Sequence, residues 1–290
     1  MTPAQATAPA DLLQLVKPRI TALVLFTTAC GIWLAPRGVR ATTVVLTLVG
    51  TVLIVAAANV LNMYLERDSD ALMARTSNRP LPARRMDPQV ALRFGLLLAA
   101  ISVPLLTFGV GALPGLLASI ALVSYVLLYT PMKRQTAAAL LVGALPGAIP
   151  PLIGWTAATE RLDLPGVLLF AVMFLWQVPH FLAITLFRKE EYARAGLAVQ
   201  PNEPGGERAA RVNIVRYTVA LFFVSLLFVP LNVGHGLYLA TALTAGAAFL
   251  GYGLLGLREG SGVRWARNLF LLSLVYLTVL FAVLMIDRGR

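Results

Sequence analysis

The chain has 290 residues, of which 58% are hydrophobic and only 13% are charged, and its mean hydropathy is +0.78. A soluble domain carries roughly twice that charged fraction, so the composition excludes an ordinary soluble protein and points to one embedded in a lipid bilayer. The net charge of +11 would suit a nucleic-acid binder, but the basic residues gather between apolar runs on one side, and no nucleic-acid partner is expected.

Taken in chain order, about nine apolar runs reach the length needed to cross a bilayer. Their limits are 20–36, 43–65, 90–109, 113–130, 138–156, 164–187, 213–232, 236–256 and 268–286, the first being short and expected to begin near Leu12. The expected fold is all-α: a polytopic membrane protein with its helices in one bundle around a central cavity, a single transmembrane domain over 1–290. Most Lys and Arg residues, from Lys17 and Arg19 to Arg264 and Arg267, fall on one side. The other side has Arg37, Arg40, Arg161, Arg288 and Arg290. By the positive-inside rule, the N-terminus and loops 66–89, 131–137, 188–212 and 257–267 are expected in the cytoplasm. The odd number of spans puts the C-terminus outside. The first eighteen residues hold one Lys, one Asp and no apolar run, so neither a signal peptide nor a transit peptide is expected. Cys30 is the only cysteine, which excludes an intrachain disulfide and a multi-cysteine metal site. It reads as a small apolar filler.

The second span ends in the most informative stretch. Asn62, Glu66 and Asp70 stand four residues apart, a spacing that puts one amide and two carboxylates on the same face of a helix. Acids at a bilayer edge mark function by default. Oxygen ligands of this kind suit Mg²⁺, which bridges protein carboxylates to substrate phosphates. Arg67, Asp68, Arg75 and Arg79 follow at once. Loop 188–212, after the sixth span, is similar in kind, with Glu190, Glu191, Arg188, Lys189 and Arg194. Acids alone would repel a diphosphate. A cation between them inverts the sign, and arginines can hold the remaining phosphate oxygens. The bland alternative for either loop is a solvated charged connector.

These residues resemble the UbiA-type intramembrane prenyltransferases, whose signature is an Asn and two Asp at four-residue spacing after the second span and a second acidic motif after the sixth. Glu66 stands where that family usually has Asp. Further motifs resemble the family's haem branch: Lys17, Pro18 and Arg19; Arg75, Thr76, Arg79 and Pro80; Tyr129, Thr130, Lys133 and Arg134; Gly147 to Trp155; Phe174 to Phe181; and Glu190 to Gly196. The resemblance covers nearly the whole chain. It implies transfer of a farnesyl group from farnesyl diphosphate to a vinyl group of haem b with addition of water, in the inner membrane of a bacterium. It implies Mg²⁺ held by Asn62, Glu66 and Asp68 or Asp70, with Glu190 or Glu191 at a second ion. It makes Arg67, Arg75, Arg79, Lys133 and Arg134 candidate diphosphate binders, and a haem A synthase or a terminal oxidase candidate partners.

The residues add their own reading. An allylic cation must be kept from water, which asks for a dry cavity. Trp155, Phe174, Trp176, Phe181 and Tyr192 are candidates to line it, against ordinary bundle packing or an interfacial belt. His180, near the cytoplasmic end of the sixth span, is a candidate iron ligand or proton carrier. His235 lies far from every acidic motif and reads as structural. Two other functions share parts of this pattern. Prenylation of an aromatic quinone precursor would use the same acids. A transporter would need charges in the middle of several spans, whereas here they gather at one face.

Overall fold

The computed structural model describes residues 9–36 and 38–288. The N-terminal eight residues, Arg37 and Arg290, which enter the leader and charge readings above, lie outside them. Within the described residues the chain is helical and contains no strand. In lipid this is expected, because a helix satisfies its own backbone groups where no water can.

The helices are α1 (Pro9–Leu15), α2 (Pro18–Leu34), α3 (Ala41–Asp70), α4 (Pro88–Gly109), α5 (Ala112–Val123), α6 (Thr130–Met132), α7 (Ala139–Thr159), α8 (Leu164–Phe187), α9 (Lys189–Arg194), α10 (Gly206–Leu226), α11 (Gly236–Leu255) and α12 (Val263–Ile286). A π-helical turn, Ser124–Tyr129, joins α5 to α6. Among the described residues eight segments are each long and apolar enough to cross a membrane, and there are nine when the bent pair α1–α2 is counted as one span. The protein is thus an integral membrane protein, with many leucines and valines turned outward to lipid.

Three boundaries differ from the sequence expectation. The first span is two helices bent by 49°, because Pro18 disfavours right-handed helix at the residue before it, and Lys17 takes φ 48°. The second span does not stop at 65: α3 runs on to Asp70, so the acidic stripe is helical throughout. The seventh span is Gly206–Leu226 rather than 213–232. Its start carries the charged first turns that hydropathy alone trims away, and Pro230 forbids helix at its end.

The buried core has two main parts. One unites α2, α7, α8, α10, α11 and α12, the other α1, α3 and α4. Between α2 and α7 the backbones almost touch. A Cβ at Gly31 would stand 2.0 Å from Pro151 O, and one at Gly154 2.0 Å from Thr28 O. Cys30 is fully buried, its Sγ 3.0 Å from Met285 Sδ.

Candidate active site

A cavity of about 480 Å³ opens inside the bundle, walled by α2, α3, α7, α8, the π turn and the two long loops. One end is ionic. Asn62, Glu66 and Asp70 line it together with Lys17, Arg75, Arg79 and Lys133. The other end is apolar and aromatic, with Met173, Trp176, His180 and Phe181.

At the ionic end each acid is held by a base. Asp70 is 1% exposed and accepts from Arg79 Nη1 at 2.6 Å. Lys133 Nζ lies 2.7 Å from Glu66 Oε1. The two form a close ion pair, which occupies that carboxylate oxygen. Burial works against the Lys133 ammonium, yet the Tyr129 oxygen and the Glu66 carboxylate beside it hold its pKa above the ordinary lysine value. The Lys133 ammonium also lies 4.3 Å from the centre of the Tyr129 ring.

The orientation of Asn62 follows from its neighbours. Thr130 Oγ1 donates to Tyr125 O at 2.8 Å, a five-residue reach that belongs to the π turn. Its hydroxyl proton is therefore used, and it accepts from Asn62 Nδ2 at 3.0 Å. The Asn62 carbonyl oxygen is left at 3.5 Å from Lys17 Nζ, on the wall of the cavity.

The two loops meet over this end. Arg75 N donates to Glu191 Oε1 at 3.3 Å, and Arg75 Nη2 to Tyr192 Oη at 3.4 Å. Arg188 Nη1 donates to Glu191 Oε2 at 2.7 Å. Burial pushes the Glu191 carboxyl up, but Arg188 and Arg75 outweigh it and hold the pKa below the ordinary glutamate value. Ala198 N donates to Lys133 O at 2.7 Å, tying the second loop to the end of α6.

At the aromatic end the His180 ring lies between Trp176, at 4.6 Å between centroids, and Phe270, at 4.7 Å. Its Nδ1 is 2.7 Å from Ser273 Oγ. Pro179 lacks the N–H that would otherwise bond one turn back, which loosens α8 next to the histidine.

The remaining sequence candidates fall elsewhere. Asp68 has a side chain 81% exposed, on the far face of α3, near Arg67 at 3.9 Å. The continued helix explains this, since Asp68 is about 200° around from Glu66. Arg67 lies over the Tyr64 ring and donates to Tyr64 O. Arg134 and Glu190 are exposed and do not line the cavity. Glu191 is buried and sits behind Arg75. Trp155 donates to Asp163 Oδ1 at 2.6 Å, fastening the α7–α8 corner, and Phe174 stacks on Phe170 outside the cavity. His235 serves a helix end, where its N–H and that of Tyr238 donate to Asp287 Oδ2. Residues assigned no site role from sequence also line the cavity: Asn59 and Tyr125, together with Lys17, Tyr129 and Gln177, which entered only as parts of the resembling motifs. The spacing of Tyr125, Tyr129 and Lys133 is the same four-residue stripe that revealed Asn62, Glu66 and Asp70.

Among the described residues no three His, Cys, Asp or Glu side chains converge as a ready-made metal centre. For Mg²⁺ that is no obstacle, since this ion is commonly held by one or two carboxylates plus substrate phosphates. The donor set fits: the Glu66 and Asp70 carboxylates and the Asn62 carbonyl are hard oxygen ligands on one helical face.

The chain is thus a membrane-embedded helical bundle around a chamber that is ionic at one end and aromatic at the other. The sequence model of the UbiA prenyltransferase family matches residues 24–275, and the chain belongs to that family. It is 54% identical over 279 residues to the protoheme IX farnesyltransferase of Sorangium cellulosum, covering 91% of this chain and 99% of that one. Identity with the protoheme IX farnesyltransferase of Myxococcus xanthus is 52% over 282 residues, 97% and 96% of the two chains. Among solved structures, a digeranylgeranylglyceryl phosphate synthase superposes with a TM-score of 0.82 at 17% identity, over 96% of this chain and 97% of that one. A UbiA homolog from Archaeoglobus fulgidus bound to GPP and Mg²⁺ superposes at 0.64 and 16%, over 94% and 99%. At such identities these two share the fold.

Proposed function

We propose that this protein farnesylates haem b: the C1–O bond of farnesyl diphosphate breaks, its electron pair leaves with the diphosphate, and a haem vinyl group supplies the pair for the new C–C bond. Water then adds to the vinyl-derived cation and loses a proton, leaving a hydroxyethylfarnesyl side chain. The observation that carries this reading is the near full-length identity of 54% and 52% with two protoheme IX farnesyltransferases. The division of the cavity supports it, with one end suited to a diphosphate and the other to a flat aromatic macrocycle.

In this reading Asn62, Glu66 and Asp70 hold Mg²⁺, which when bound supplies the positive charge that makes diphosphate a better leaving group. Arg75, Arg79, Lys133 and Lys17 bind the diphosphate oxygens. Glu191 positions Arg75 through its hydrogen bond. Tyr125 and Tyr129 line the cavity and supply aromatic rings of the kind that stabilise an allylic cation. The wall of Trp176, His180 and Phe181 takes the haem and excludes water. Lys17 and the acid-bearing loops are assigned to the cytoplasmic side of a bacterial inner membrane, as the charge bias supports, and 1–290 acts as one domain.

The test is direct. Membranes containing the protein, given farnesyl diphosphate, Mg²⁺ and haem b, should yield a haem heavier by farnesyl plus water in mass spectrometry. Haem b recovered unchanged, while both substrates bind, would overturn the proposal.

A further inference from the structure

His180 is fixed by a residue from a different helix. Ser273 sits on α12, is fully buried, and is 93 positions away in sequence from the histidine it touches. Its one hydroxyl proton has two possible acceptors, Phe270 O at 2.6 Å and His180 Nδ1 at 2.7 Å. An oxygen–oxygen separation of 2.6 Å is attractive only with a proton between the two atoms. Ser273 therefore donates to Phe270 O, its lone pair faces His180, and Nδ1 carries the imidazole hydrogen. Trp176, whose ring stacks on His180, donates to the Ser273 carbonyl at 2.7 Å. One residue of α12 thus holds both the histidine and the indole beneath it.

With the hydrogen on Nδ1, a neutral imidazole keeps a lone pair on Nε2. Among the described residues no protein group bonds to Nε2, and His180 lines the cavity. We infer that Ser273 is a positioning residue that locks His180 in the Nδ1–H tautomer, so that Nε2 meets the iron of a haem in the aromatic half of the cavity. This rests on the haem-farnesylating reading above. The arrangement is the usual one for a metal-ligating histidine, whose other nitrogen donates to a fixed acceptor that sets ring orientation and basicity. Nothing in the sequence marks Ser273, which lies mid-span among apolar neighbours.

The experiment uses purified full-length protein in detergent and titrates it with ferric haem b, following the Soret band and the spin state. The wild type should show a histidine-ligated spectrum that His180→Ala abolishes. Ser273→Ala should stay folded but melt a few degrees lower, because the buried His180 N–H loses its acceptor. It should bind haem about tenfold more weakly, with a mixed spin state. Ser273→Thr, which keeps the hydroxyl, should restore both affinity and spin state. If Ser273→Ala matches the wild type while His180→Ala loses the ligated spectrum, the role of Ser273 is overturned and the histidine ligand stands. If His180→Ala leaves the spectrum unchanged, iron ligation by His180 is overturned, and with it the reason for positioning that ring. A threonine variant no better than the alanine variant also overturns the hydroxyl's role.

Discussion

Lys133 and Glu66 approach to 2.7 Å across the ionic end of the cavity, one from the end of the fourth span and the other from the last turns of the second. The pair places an ammonium against a carboxylate at the mouth of the site before any ligand arrives. It also means that a ligand entering there must rearrange an existing ion pair instead of binding to bare charge.

Removing that charge without changing size is the first test. Glu66→Gln should lower turnover at least tenfold and raise the Mg²⁺ concentration needed for half-maximal rate, whereas Glu66→Asp should keep most activity. The measurement is rate against Mg²⁺ in membranes. Equal curves for the two variants would show that charge at position 66 is irrelevant.

Asp70 makes a stronger prediction, because it is almost wholly buried and bonded to Arg79 at 2.6 Å. Asp70→Asn should lose on the order of a hundredfold in activity, the upper range for lost ligand-shell groups. It should also melt a few degrees lower, since Arg79 loses its partner. The Arg79 side chain is 27% exposed and can be rehydrated, so the protein should still fold. Wild-type rate with wild-type melting would rule the assignment out.

Acidification should act on the contact between the loops. Glu191 has a folded-state pKa below its ordinary 4.5. Its contribution to stability is thus complete above that ordinary value and is lost as pH falls through the lower folded value. The difference in melting temperature between the wild type and Glu191→Gln should stay constant from neutral pH to about pH 5 and shrink below 4.5. A gap that already narrows between pH 7 and 6 would point to a different titrating group.

Gly31→Ala should destabilise the bundle by about 2 kcal/mol or more, the scale of an overpacked core, because the new methyl meets a backbone oxygen at 2.0 Å. Fluorescence-detected size exclusion after heating would show it as a lower melting temperature. A variant as stable as the wild type would mean that the two helices can separate at little cost.

Much of this was legible in the sequence, for identifiable reasons. Span number and type follow from hydropathy, because lipid demands apolar faces all round. The Asn62, Glu66 and Asp70 stripe follows from helical periodicity. What periodicity does not give is the partner across the cavity. That Arg79 takes Asp70, that Lys133 takes Glu66 and that Ser273 takes His180 all depend on how helices pack. Asp68 was ambiguous until the helix end was known, and α3 continues past it. Trp155 and Phe174 show the limit of reading aromatics by type. Their rings are apolar wherever they point, and here they serve the α7–α8 corner and the outer packing. Lys17 was visible only as a basic residue before a proline, and the bend there is what brings its ammonium to Asn62.

The crossing of α2 and α7 has a further meaning. At Gly31 and Gly154 the obstacle to any side chain is a carbonyl of the opposite backbone, so no smaller neighbour elsewhere could make room. Relief would require one whole helix to move away. α2 carries Thr27 on the cavity wall, and α7 carries Gly143 and Gly147. A displacement at the crossing would carry these along and widen the chamber against its substrates. The calibre of the chamber is set by two side chains that the protein does not have.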